Sequence, residues 1–189
     1  MRPVALIILA CAVGGCQITQ ATFGAVKKLK PDYAQVPVEP LREVAREIER
    51  AVSEANRNPE IPDRGGIAVN TDAIRQAIRS RAARSELLHA FLDTGHAWER
   101  RDGHVWIRRT GEWKRFGTRR DRDRYALLVD SETNDRWTLY EGIVRSSNLS
   151  PRALPAVQEI FFNARLKFMR KGQLFETESG SAGRIGGEP

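Results

Sequence analysis

The most regular helical pattern of the chain is SPRALPAVQEIFFNARLKF, residues 150–168. Its apolar side chains recur every three or four residues, which places them on one face of an α-helix. They are Leu154, Val157, Ile160, Phe161, Ala164 and Phe168. Ser150 suits the cap and Pro151 the first turn, while Gly172 ends the segment. A helix with one apolar face needs a packing partner, so this stretch predicts a fold of packed helices.

Three segments upstream show the same periodicity and are predicted to supply those partners. One opens at Glu39-Pro40 and carries an apolar face through residues 41–55. The next begins near residues 70–72 and ends at Thr94-Gly95, with Ser85 as the cap of its second part after a bend. Helical spacing returns at residues 125–144. The fold class is therefore predicted to be mainly α (α+β), with four or five amphipathic helices.

Residues 96–116 have a different pattern, typical of short strands. Asp102-Gly103 stands between two runs rich in tryptophan and β-branched residues, which is a strong signal for a hairpin turn. Thr110-Gly111 marks a second turn before residues 112–116. The sequence therefore predicts a small two- or three-stranded antiparallel β-meander at 96–116.

The N-terminus has the layout of a secretory signal peptide. Arg2 precedes an apolar run at residues 4–13, which is too short for a permanent bilayer span. The run ends in Val13-Gly14-Gly15-Cys16, which resembles the bacterial lipobox. That resemblance implies cleavage between Gly15 and Cys16 and attachment of lipid, such as palmitate, to Cys16. Two or more acyl chains hold a protein stably on a membrane.

Other interpretations of this leader stay open. Ile8-Leu9-Ala10-Cys11 is a second lipobox-like stretch, but it leaves a shorter apolar centre. An uncleaved anchor and an ordinary signal peptide with incidental cysteines are further alternatives. Gln17 follows Cys16 where Asp would signal retention in the inner membrane. By resemblance to that sorting rule, we expect a lipid-anchored protein on the periplasmic face of the bacterial outer membrane.

The domain organisation follows from these segments. Residues 1–15 are predicted to be a lipoprotein signal peptide and residues 16–38, with Pro31 and Pro37, a membrane tether. Residues 39–176 form the mostly helical domain. Residues 177–189 have the Gly/Ser-rich composition of a flexible tail.

The sequence predicts no catalytic, cofactor-binding or metal-binding residues. Two cysteines among 189 residues are too few for a disulfide scaffold or an iron–sulfur protein. The three histidines lack the spacing of a zinc site, and no glycine-rich loop has the spacing that cradles phosphate. We therefore expect a protein that is not an enzyme. The alternative is a cell-wall- or lipid-modifying enzyme with an unrecognised site.

A basic, tryptophan-rich stretch at residues 96–124 is the candidate binding patch. It holds ten Lys/Arg against five acids, most of the chain's net charge of +7. The patch residues are Trp98, Arg100, Arg101, Trp106, Arg108, Arg109, Trp113, Lys114 and Arg115. Such a pattern can bind nucleic acid, but an exported protein favours an anionic lipid or an envelope protein as partner. Tryptophans that pack on the helices and solvated arginines are the alternative.

Residues 66–175 resemble the YdbL-type domain of unknown function, a bacterial envelope family. The resemblance lies first in the segment 69–75 and in Gly95, Glu99 and the following Asp-Gly-His-Val. It continues in Glu-Thr-Asn-Asp-Arg-Trp-Thr-Leu-Tyr at 132–140 and in Asn-Ala-Arg at 163–165. It implies a small, mainly helical, non-enzymatic envelope protein, with a link to envelope lipid transport. The arginine-rich run 115–124 and the Phe161-Phe162 pair depart from the family's pattern.

Overall fold

The structure is a computed structural model that describes residues 31–187. This part of the chain folds into five α-helices, one 3₁₀ turn and one four-stranded sheet. The helices are α1 (Val38–Ser53), α2 (Asp72–Asp93), α3 (Gly111–Arg115), α4 (Arg119–Ser146) and α5 (Leu154–Leu166). The strands are β1 (Ala97–Glu99), β2 (Val105–Ile107), β3 (Leu174–Glu176) and β4 (Ala182–Arg184), and the 3₁₀ turn is Pro151–Ala153. The prediction of a mainly helical α+β fold is confirmed.

The sheet is mixed and has the strand order β2-β1-β3-β4. β1 and β2 form the expected antiparallel hairpin, in which Trp98 pairs with Trp106. β3 lies parallel to β1, with Trp98 opposite Leu174, and β4 is antiparallel to β3. The sheet therefore joins the central hairpin to the C-terminal part of the chain, which the predicted meander did not include.

Two hydrophobic clusters form the core. The larger one joins α1, α5, the first half of α2 and the last part of α4 around Leu41, Ile74 and Phe161. The smaller one joins the second half of α2, the hairpin, α3 and the first part of α4 around Phe91 and Trp113. Each cluster buries one end of the long helices α2 and α4, so the middle of both helices lies between two apolar regions.

Residues 112–116 are not the third strand of the predicted meander. The turn at Thr110 instead starts α3, because the Thr110 side chain accepts a hydrogen bond from the Trp113 backbone N–H at 3.2 Å. This is an N-cap, and it favours helix over strand. Trp113 is buried in the smaller cluster. A capped turn that buries one large side chain is therefore more favourable here than a further strand.

The segment predicted as a flexible tail contains β4. Backbone pairing of Glu176 with Ala182 and of Leu174 with Arg184 holds it beside β3. Thr177 closes the connecting turn by accepting the Gly180 N–H at 3.0 Å and donating its own N–H to Ser181. The Gly/Ser composition that indicates a linker here serves a tight β-turn.

The predicted tether ends on the folded domain. Its residues up to 30, together with Cys16 and the signal peptide 1–15, lie outside the described residues. From residue 31 onward the Tyr33 hydroxyl donates to Glu159 Oε2 at 2.7 Å, and Val36 is buried. Within residues 31–187, no helix combines the length and apolar content that a bilayer crossing requires.

Candidate functional site

Six buried charged side chains occupy the space between the two hydrophobic clusters. Three are arginines and three are glutamates, and each is at most 6% exposed. They are Glu49, Arg81, Glu99, Glu132, Arg136 and Arg165, and we call them the charge cluster. They come from α1, α2, β1, α4 and α5, so every large element contributes to it. The cluster has no net formal charge.

Arg136 on α4 pairs with two glutamates of the charge cluster and makes four hydrogen bonds. Its Nη1 and Nη2 donate to Glu99 Oε2 and Oε1 at 2.7 and 2.8 Å, which is a bidentate pair. Its Nε donates to Glu132 Oε1 at 2.8 Å, and Nη1 also reaches the Gly103 carbonyl at 3.3 Å. Arg136 thus holds the hairpin turn against α4.

Arg81 on α2 makes the matching connection to α1. Its Nη2 and Nη1 donate to Glu49 Oε2 and Oε1 at 2.8 and 3.1 Å. Its Nε donates to Glu132 Oε1 at 2.9 Å, the oxygen that also receives Arg136. Glu132 therefore links Arg81 to Arg136, because one of its oxygens receives both arginines.

Arg165 brings α5 into the same network. Its Nη1 donates to the Tyr140 hydroxyl at 2.6 Å and to Glu49 Oε1 at 3.4 Å, and its Nε reaches Glu99 Oε2 at 3.3 Å. The remaining amine, Nη2, is buried without a protein partner.

Two carboxylates of the charge cluster, those of Glu132 and Glu99, are held in their ionised form. Burial raises the pKa of Glu132, but the charges of Arg81 and Arg136 outweigh it and hold the pKa far below its usual range. The pKa of Glu99 is lowered in the same way by Arg136 and Arg165 against the effect of burial. The two acids stay charged at neutral pH and serve as partners for arginine.

A cavity of about 40 Å³ adjoins the charge cluster, and its lining includes His89. Convergence of glutamates and a histidine is the arrangement that the enzyme alternative requires. The cavity is far below the several hundred Å³ of a ligand pocket, and Glu99 and Glu132 are kept ionised by arginines rather than poised to give up a proton. These contacts favour a structural role for the charge cluster.

Five of the residues that carry the YdbL-type resemblance in its second and third parts meet in or at this cluster. Glu99, Glu132, Arg136 and Arg165 are members, and Tyr140 is bonded to Arg165. The spacing of these motifs therefore has a physical basis in one ion network. Comparison with known proteins finds no matching family model, curated protein or solved structure. The family assignment stays a prediction.

Glu49 and Arg81 were missed at the sequence level, although a signal for both exists. Glu49 stands four residues after Ala45 and three before Val52, on the apolar face of α1. Arg81 stands four residues after Ala77, on the apolar face of α2. A charged residue on the buried face of a helix must find a partner of opposite charge. One acid and one base in such positions therefore indicate a pair.

The structure divides the predicted binding patch. Arg100 is bonded to Asp102 and Glu176, and its guanidinium lies 4.3 Å from the ring centre of Trp106. Arg101 pairs with Glu159. Neither arginine is available as an unpaired charge, so this half of the patch holds the hairpin to the rest of the fold.

Three further members of the predicted patch also have contacts within the fold. Trp113 is buried, Trp98 is half-buried in the sheet, and Arg108 Nη1 donates to the Gly95 carbonyl at 3.2 Å. Arg109, Lys114 and Arg115 are exposed, and Trp106 is 49% exposed. These four members of the predicted patch are therefore exposed to solvent.

An outward-facing basic surface continues from these residues into α4. It consists of exposed cations of the segment 109–124, and we call it the basic surface. Its members are Arg109, Lys114, Arg115, Arg119, Arg120 and Arg124. The acids of this segment are Glu112, Asp121 and Asp123, and Asp121 is used in capping α4 through Thr118. The surface thus keeps a positive balance.

An apolar groove opens beside the basic surface, between α2 and the start of α4. It has a volume of about 290 Å³, and we call it the α2–α4 groove. Its lining consists of Leu87, Phe116, Gly117, Asp121, Arg124, Tyr125 and Leu128. The wall is fixed, because the Tyr125 ring stacks on Phe91 at 4.2 Å and Arg122 Nη1 donates to the Phe116 and Gly117 carbonyls.

No group of metal-ligating side chains is found among residues 31–187 that would hold a metal ion.

Proposed function

We propose that this protein is a bacterial envelope lipoprotein, anchored through lipid on Cys16 at the periplasmic face of the outer membrane. It acts as a non-enzymatic binding or assembly factor, and the resemblance of residues 66–175 favours a link to envelope lipid transport. The leader sequence supports the anchor, and the arrangement of charge in the folded domain supports the binding role.

The observation that carries the binding role is the separation of two kinds of charge. The charge cluster faces inward, where three arginines meet three glutamates and join all the large elements. The basic surface faces outward and holds six cations against three acids of the same segment, one of which, Asp123, pairs with Arg119. The first arrangement gives the fold its rigidity, and the second presents a positive field to a partner.

A basic surface suits a protein held close to a membrane. Bilayers that contain anionic lipid attract nearby lysines and arginines by about 1 kcal/mol each, within the range of a Debye length. A lipid anchor keeps the domain within reach of that surface, because a linker of about 20 residues spans only some tens of ångströms. The lipid anchor would hold the domain near the membrane, and the basic surface would be attracted to anionic groups of the same membrane.

Cell fractionation of Cys16→Ser tests the anchor. We expect wild type in the membrane fraction and Cys16→Ser in the soluble periplasmic fraction, because serine cannot form the thioether. Cys11→Ser is the matched control, and it is expected to stay with the membrane. Membrane retention of Cys16→Ser, or release of Cys11→Ser, would contradict the proposed anchor.

A further inference from the structure

The α2–α4 groove has the size and lining of a site for one hydrocarbon chain. Its volume of about 290 Å³ is at the lower end of ligand pockets. The sides are formed by Leu87, Phe116, Tyr125 and Leu128. Leu87 is 51% exposed at the edge of this lining. An apolar occupant would cover it.

Cationic side chains stand at one side of this groove. Arg124 is part of the lining and is exposed, and Arg120 precedes it by one helical turn on the same face of α4. Two guanidinium groups in this arrangement suit the oxygens of a phosphate. The groove therefore offers an apolar slot with a cationic rim.

The single acid in the lining is turned toward the helix start. Asp121 Oδ2 accepts hydrogen bonds from the Thr118 backbone N–H at 2.9 Å and from the Thr118 hydroxyl at 2.7 Å. These bonds hold its carboxylate in the cap of α4. Hydrogen bonds from Thr118, and then the charges of Arg124 and Arg120, lower the pKa of Asp121, so both arginines lie near this acid. An anionic headgroup at the Arg120–Arg124 side of the groove therefore meets two cations beside one acid that is already bonded in the cap of α4.

We propose that the α2–α4 groove binds the hydrocarbon chain of an anionic lipid, whose phosphate lies against Arg124 and Arg120. The inference rests on the proposed function, since it names the partner of the same outward surface. An amphipathic helix is a poorer fit, because it needs a groove that receives anchors over two turns. Nucleic acid is a poorer fit too, because Tyr125 already stacks on Phe91 and is not free to stack on a base.

Calorimetric titration with three probes tests the proposal. The protein is the chain from residue 16 with Cys16→Ser, so that no attached lipid competes. The probes, kept below micelle formation, are dodecyl phosphate, dodecyl maltoside with the same chain and a neutral head, and inorganic phosphate without a chain. We expect dodecyl phosphate to bind about tenfold or more tightly than either of the others, because only it uses both parts of the site.

Matched variants test the cationic side and the apolar lining of the α2–α4 groove separately. Arg120→Gln with Arg124→Gln is expected to weaken dodecyl phosphate about tenfold, to the level of dodecyl maltoside. Leu87→Gln is expected to weaken both amphiphiles about fivefold. The controls are Arg57→Gln with Arg152→Gln, which removes the same charge from exposed positions elsewhere, and Leu127→Gln, an exposed leucine outside the lining. Both controls are expected to bind like wild type.

Equal binding of dodecyl phosphate and dodecyl maltoside, or no effect of the groove variants, would overturn the proposal. Failure of both amphiphiles to bind would also overturn it. Urea unfolding of each variant verifies that the fold is intact. Since the titrated chain carries no lipid, its result is independent of whether Cys16 is lipidated in the cell, and the two claims can fail separately.

Discussion

Arg136 and Glu99 form a buried bidentate pair that joins the long helix α4 to the first strand of the sheet, with hydrogen bonds of 2.7 and 2.8 Å. Neither side chain is more than 3% exposed. The pair lies between two apolar clusters, so its geometry fixes how far α4 is turned relative to the hairpin. Burying two charges costs free energy that their attraction offsets only when every hydrogen bond is made.

Removal of Arg136 is expected to be among the most damaging substitutions in the domain. Arg136→Met leaves Glu99 and one side of Glu132 buried without their principal cation, and we expect a loss of about 3–5 kcal/mol in the free energy of unfolding. Urea unfolding followed by circular dichroism measures it. Arg145→Met, at an exposed position of the same helix, is the control and should change the free energy by less than about 0.5 kcal/mol. Equal effects of the two would contradict the role of the cluster.

Acid should destabilise the protein through the same cluster. The folded pKa values of Glu99 and Glu132 are below their unfolded values near 4.3, so their contribution is complete above about pH 5 and is lost as the pH falls. Each such group adds about 1.4 kcal/mol per pH unit to the slope of stability below that point. We expect the urea midpoint to fall steeply from pH 5 to pH 3.

Glu132→Gln isolates the contribution of one carboxylate to this acid sensitivity. The variant should be less stable at neutral pH, and its stability should fall less steeply between about pH 5 and pH 3, because one titrating group is gone. Unfolding curves at a series of pH values give both quantities. An unchanged slope would mean that the acid sensitivity arises outside the charge cluster.

Gly103 in the hairpin turn and Gly95 just after α2 provide a matched pair of glycine positions. Gly95 and Gly103 both have positive φ, of 71° and 85°. An alanine Cβ at Gly103 would stand 2.6 Å from Tyr140 Cε2, whereas at Gly95 it would meet nothing within 4 Å. We expect Gly95→Ala to cost about 1 kcal/mol from backbone strain and Gly103→Ala about 1–3 kcal/mol more. Thermal or urea unfolding of the two variants measures the difference in stability. Equal losses of stability would mean that the Tyr140 ring does not pack against Gly103.

The C-terminal strand should contribute to stability, although its composition is that of a linker. Ending the chain at Thr177 removes the three cross-strand pairs between β3 and β4, each of which contributes about 0.2–1 kcal/mol. We expect a lower urea midpoint for this chain than for one that ends at Gly187. Identical midpoints would show that β4 does not pack in solution.

The helices were predictable from the sequence because their signals are local. The apolar stripe from Leu154 to Phe161 appears in the structure, and of the predicted start at 70–72 it is Thr71 that caps α2. Ser150 caps the 3₁₀ turn that precedes α5. The predicted bend at Ser85 does not occur, and α2 runs unbroken with Ser85 buried on its inner face. Hydrophobic periodicity reports which face is buried, and it says little about where a long helix is interrupted.

The non-local features could not be predicted in the same way. The pairing of β1 with β3 joins Trp98 to Leu174 across 76 residues of sequence, and nothing in a three-residue strand specifies such a partner. The contacts of the patch at residues 96–124 could not be predicted for a related reason. Arg100 and Arg101 look identical to Arg119 and Arg120 in sequence, but they meet Glu176 and Glu159 in the fold while the others stay exposed.

The most direct test of the proposed lipoprotein is the intact mass of the protein recovered from the membrane fraction of a Gram-negative host. We predict a chain that begins at Cys16 and carries the added mass of a diacylglycerol and a third acyl chain. A full-length unmodified chain, an unmodified chain cut at another position, or lipid on a chain that begins at Cys11 would contradict it.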